Sequence, residues 1–154
     1  MKLAILSLLI FFLAIHVEAQ PGDRRIDEEE TYWQHQDIRK ALENTDKKSW
    51  MLYRTLRTTN RAKNKCVYAE VKETRNRRKV FTNFVQKYKK EDGTKKEQTL
   101  FAFPYKTEPT GYEEREKDNG MLVKEDKESE NGRHYVLIYS DYTCCDILRA
   151  LHST

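Results

Sequence analysis

Glycine is scarce, with 5 residues in a chain of 154. There is no glycine-rich phosphate loop, no G-x-S-x-G and no H-E-x-x-H, so the motifs that carry nucleotide binding, acyl transfer and zinc hydrolysis are missing. Glu113 and Glu114 are adjacent acids, but they sit in a charge run that reads as solvated loop. The expectation is a protein that is not an enzyme. Cysteine is equally sparse. The 3 cysteines include no C-x-x-C pair, and His35, His134 and His152 stand apart in sequence. Metal-ligand spacing is therefore absent, and neither a metal nor a cofactor is called for. Three is an awkward count for an oxidising compartment, because at least one thiol is left over. Cys144 and Cys145 are neighbours, so a bridge between them would be strained.

Long apolar runs are missing too, except at the amino end. There Lys2 precedes an apolar run over 3–15, followed by Val17-Glu18-Ala19, an arrangement that predicts a cleavable signal peptide over 1–19 and secretion. The run is shorter than the roughly 20 residues that span a bilayer, so no membrane partner is expected. Residues 20–154 suit one domain with one core. Charged residues make up 35% of the chain, yet Phe, Tyr and Trp recur in clusters, which argues for a folded domain. The net charge of +4 divides into a basic stretch over 57–96 and an acidic one over 108–130. Arg75, Arg77, Arg78, Lys79, Lys89, Lys90, Lys95 and Lys96 crowd at expected strand ends and turns. They read as a solvated rim, and no nucleic-acid partner is expected.

What is present is periodic. Acids at 27–30 followed by Trp33, Ile38, Ala41 and Leu42 predict a helix over 27–42, ended by Asn44-Thr45-Asp46. Beyond Lys48, aromatic and β-branched runs predict strands over 49–57, 66–73, 79–88, 97–105, 120–126 and 133–141. Asp92-Gly93, Asn119-Gly120 and Asn131-Gly132 are the expected tight turns. Tyr135, Leu137 and Tyr139 point one way while Val136 and Ile138 point the other, and Phe101, Phe103 and Tyr105 share one side. Strands apolar on both sides need cover on both, as in a small barrel with a helix packed on it.

Four local runs carry a resemblance. They are His35-Gln36-Asp37-Ile38-Arg39-Lys40-Ala41-Leu42, Trp50-Met51-Leu52-Tyr53-Arg54-Thr55, Cys66-Val67-Tyr68-Ala69, and Tyr139-Ser140-Asp141 followed by Cys145-Asp146-Ile147. Over 27–148 the chain resembles the tick salivary lipocalins, the histamine-binding protein family. The resemblance implies a mainly β, lipocalin-like antiparallel β-barrel (calycin) with an N-terminal helix. It also implies a further strand and a cysteine-bearing C-terminal helix beyond the point where this chain stops, so the last strand and that helix are expected to be missing. The resemblance would pair Cys66 and Cys145 with cysteines in the missing part; a bridge from Cys66 to Cys144 or Cys145 is left open. A complete barrel would be a monomer.

The resemblance implies a small-molecule ligand, a biogenic amine such as histamine or serotonin, sequestered against host defence. A buried ammonium needs an opposite charge and gains from aromatic faces. The candidate lining is Trp50, Tyr68, Phe84, Phe101, Phe103, Tyr135 and Tyr139, all central in their strands. Glu70 shares a face with Tyr68 and is the strand carboxylate able to face a cavity, while Asp37 and Asp146 are carried over from the matched runs. A fatty-acid or leukotriene ligand, its carboxylate meeting Arg54 or Lys87, would suit the same aromatics. An inhibitor acting through surface loops is a third alternative.

Overall fold

The computed structural model describes residues 25–43, 46–55, 64–72, 80–108 and 114–151. The expected signal segment, Arg75, Arg77, Arg78, His152 and the predicted strand ends at Arg57, Glu73 and Lys79 lie outside the described residues. Aromatic and β-branched runs become strands β1 (Lys48–Trp50), β2 (Lys65–Val71), β3 (Thr82–Lys89), β4 (Lys95–Tyr105), β5 (Gly120–Lys124) and β6 (Arg133–Ser140). A seventh, β7 (Asp146–Ala150), was not foreseen. It is mostly exposed and its five residues include Asp146 and Arg149, so it carries little of the alternation by which strands are read. All seven strands pair antiparallel in sequence order, β1-β2-β3-β4-β5-β6-β7. The result is a curled half-barrel, mainly β and lipocalin-like.

Side chains alternate along a strand, so the register fixes which residues share a face. Val71 lies opposite Phe84, Phe84 opposite Leu100, Ala102 opposite Val123, Met121 opposite Tyr135. With Ala69 and Leu137 these residues form one apolar face, and Ile38, Ala41 and Leu42 pack on it. The other face carries Trp50, Tyr68, Glu70, Lys87, Phe101, Phe103, Tyr105 and His134.

The predicted single helix over 27–42 is three pieces. Two 3-10 turns, Ile26–Glu28 and Glu30–His35, precede a one-turn helix α1 (Ile38–Leu42). The break falls where side chains compete with helical hydrogen bonding. Gln36 is buried, and its amide donates to the carbonyls of Ile138 (3.1 Å) and Ile26 (3.3 Å). Asp37 caps α1, its carboxylate accepting the Lys40 N–H at 3.1 Å. Ile38 N–H donates to the Asp118 carbonyl at 2.8 Å and its side chain is buried, which docks α1 on the sheet.

Asp92-Gly93 makes the β3–β4 hairpin, with Gly93 at φ +85°. Asn119-Gly120 is not a tight turn. Asn119 is buried and its carboxamide oxygen accepts from Thr107 N–H (2.9 Å) and hydroxyl (3.1 Å), while Gly120 opens β5 against the Tyr105 ring. Glycine is needed there because a Cβ would lie 2.6 Å from that ring. Asn131-Gly132 ends a longer β5–β6 connection over 125–132, which is organised by Asp126 and Ser129.

Candidate ligand-binding site

The β6–β7 turn is built by one carboxylate. Asp141 accepts the N–H groups of Thr143 (2.9 Å), Cys144 (2.8 Å) and Cys145 (3.0 Å), and these bonds hold its carboxyl well below the usual carboxylate range. Tyr142 adopts φ 59°, an uncommon left-handed backbone, with its N–H on the Ser140 hydroxyl at 2.9 Å. That conformation turns the Tyr142 ring toward the N-terminal segment. Its phenol donates to the Gln34 carbonyl (2.8 Å) and accepts the Asp37 N–H (2.9 Å). Burial pushes the phenol up, the bond from Asp37 N–H opposes this, and the charges of Asp37 and Asp146 add to the rise. Asp37 and Asp146 are thus both close enough to be felt at one hydroxyl. The Lys40 ammonium lies over the Tyr142 ring, 4.1 Å from its centroid. Beside this group, His35 stacks on Tyr139 (centroids 4.7 Å apart), and its Nδ1 donates to the Ser140 carbonyl at 3.3 Å.

A family comparison meets this geometry. The model described as tick histamine binding protein matches residues 26–154. The chain belongs to the tick histamine-binding protein family. No curated protein and no solved structure gives a significant match. Membership makes this a chain of a small-ligand-binding family, and among the described residues no helix is long and apolar enough to cross a membrane.

The predicted site residues of this histamine-binding family member fall into four places. Asp37, Tyr139 and Asp146 gather at the β6–β7 turn, together with Tyr142, His35 and Lys40, which sequence reasoning did not select. Tyr142 immediately follows the matched Tyr139-Ser140-Asp141 run, and that position was the available signal. Phe84 and Tyr135 belong to the apolar face under α1. Phe101 and Phe103 lie on the other face, packed on Phe81 at centroid distances of 5.8 and 5.4 Å, with Lys127 over Phe101 (5.0 Å) and Lys124 over Phe103 (5.0 Å). Trp50 and Tyr68 pack with their rings tilted by 38° and centroids 4.6 Å apart, beside Glu70.

Glu70 already has cationic company. Lys72 donates to it at 3.0 Å and Lys87 stands at 3.5 Å, so its carboxyl is held below its ordinary value, chiefly by Lys72. Lys87 is shared with Glu97 at 3.3 Å, and Arg54 donates to the Asn64 carbonyl at 3.2 Å. Neither cation proposed for a lipid carboxylate is therefore without an acceptor.

All three cysteines are exposed free thiols. Four strands separate β2, which carries Cys66, from β7, which follows Cys144 and Cys145. The turn does bring the ligand atoms of Asp141, Cys144 and Cys145 within 4.8 Å of one another, a grouping that C-x-x-C spacing does not reveal. The Cys144 thiol, hydrogen-bonded to that of Cys145, leads in pushing the latter up to about 11.

Proposed function

We propose that this family member binds a small cationic biogenic amine, such as histamine or serotonin, in a stoichiometric and non-catalytic way, as a secreted scavenger of a host mediator. The observation that supports this is the tie between Asp37 and Tyr142, whose hydroxyl accepts the Asp37 N–H at 2.9 Å, beside a turn on which Asp146 pairs with Ser140. Two carboxylates supply the opposite charge that an ammonium needs, and the Lys40 ammonium at 4.1 Å already uses the ring face as an amine would. Secretion rests on the leader read from residues 1–19.

Isothermal titration with histamine and serotonin tests the reading. Heat with a one-to-one end point is expected, and Asp37→Asn should weaken the binding while keeping the α1 cap, since Asn caps as well as Asp. Blank titrations with both amines overturn the amine reading. A lipid-mediator reading has one observation in its favour, the Phe81, Phe101 and Phe103 surface with lysines over its rings. Heat from a leukotriene or fatty acid in place of the amines would favour it.

A further inference from the structure

Away from the amine group, the two 3-10 turns, β7 and the segment before β5 enclose a polar cluster. Asp27 is 3% exposed, Gln36 1% and Arg115 6%. Arg149 makes a bidentate pair with Asp27, at 2.8 and 2.6 Å. Arg115 donates to Gln36 Oε1 at 2.8 Å and to the Asp27 carbonyl, and its guanidinium lies 4.6 Å from the Trp33 ring centroid.

Two imbalances remain in this cluster. The first is of hydrogen bonds: Trp33 Nε1, Arg115 Nε and Arg149 Nε are buried donors without an acceptor. Three such groups in one connected network are unusual, because buried N–H groups are nearly always paired. The second is of charge. Three guanidinium groups, the exposed Arg25 and the cluster's Arg115 and Arg149, face two carboxylates, Asp27 and the largely buried Glu28, and this leaves one positive charge in excess. Burial pulls the Arg115 guanidinium below its ordinary value, against the charges of Asp27 and Glu28. Water could accept the orphan hydrogens but would not offset the charge. A monoanion does both, and charge-assisted bonds to guanidinium are the stronger kind.

We infer that the Trp33–Arg115–Arg149 cluster is a binding site for a compact monoanion, a halide or a carboxylate group. The inference is independent of the amine reading, because it uses different residues and opposite ligand charge.

Trp33 is one of 2 tryptophans and reports the site directly. In the full chain carrying Trp50→Phe, iodide at constant ionic strength should quench Trp33 emission along a saturating curve. Chloride and acetate should reverse the quenching competitively. Octanoate set against acetate separates the two sources of a carboxylate: competition at least tenfold tighter by octanoate identifies the end group of a lipid, and equal competition identifies a free anion. Arg115→Gln should remove the saturating component. If that variant does not fold, the competition in the Arg115-containing chain still decides. Quenching that stays linear in iodide, or is indifferent to chloride and acetate, overturns the site.

Discussion

At the scale of single residues, charge alone does not select a binding carboxylate; what already surrounds it matters as much. Glu70 shares its strand face with Tyr68 as the alternation predicts, but Lys72 and Lys87 take up its charge. The Asp37 carboxylate caps α1 through the Lys40 N–H, and its charge acts on the Tyr142 hydroxyl. Asp37→Asn should therefore weaken histamine about tenfold, the loss of one charge-assisted bond, while Glu70→Gln changes it by less than about threefold; paired titrations at one ionic strength make the comparison. The reverse ranking would return the site to β2. Gly120 is a second residue whose role depends on its neighbour. Gly120→Ala places a methyl 2.6 Å from the Tyr105 ring and should cost about 1–3 kcal/mol, as overpacking does, read from urea melts.

Two short elements hold the site in place. Helix α1 is only one turn, too short to be stable alone, so it depends on its docking. Ile38, 2% exposed in the apolar cluster, supplies most of that contact. Ile38→Ala should remove about 2–4 kcal/mol, measured by thermal or urea unfolding, and loosen the contact of Asp37 with Tyr142 with it. The β6–β7 turn depends on ionised Asp141. Its folded-state pKa is depressed, so the stabilisation is fully present above the unfolded value of about 3.9. It is lost as pH falls through the folded value. Melting temperature should fall more steeply with acid below about pH 4 in the native chain than in Asp141→Asn, because Asn keeps an acceptor but does not titrate.

At the scale of the molecule, the sheet is open among the described residues. β1 and β7 are its terminal strands, and the apolar side chains of Trp50, Met51, Leu52, Tyr53, Ile147 and Leu148 are exposed beside them. Unpaired edges with apolar neighbours invite pairing with other chains. Size-exclusion chromatography over a hundredfold range of concentration should show self-association that persists in reductant; a monomer throughout would remove the argument. Thiol counting on the native protein should find all three cysteines reactive without denaturant, as their exposure requires.

Much of this was legible in the sequence for a local reason. Alternating β-branched and aromatic residues specify a strand by their own period, and six strands were read that way, as was the Asp92-Gly93 hairpin, where backbone conformation follows from the dipeptide. The family resemblance was carried by short runs of the same local kind, with Asp37 and Asp146 in two of them. What sequence could not supply is whatever depends on partners far along the chain. Gln36 breaks the expected helix because Ile138, about a hundred residues later, offers its carbonyl. The exposed strand β7 is defined by pairing with β6 rather than by its own pattern. Tyr142 reaches Asp37, and Arg115 reaches Asp27, only after the sheet has curled. Local periodicity thus determined the elements, while tertiary contacts decided which carboxylates, rings and guanidinium groups share a site, because charge and burial belong to neighbourhoods in space.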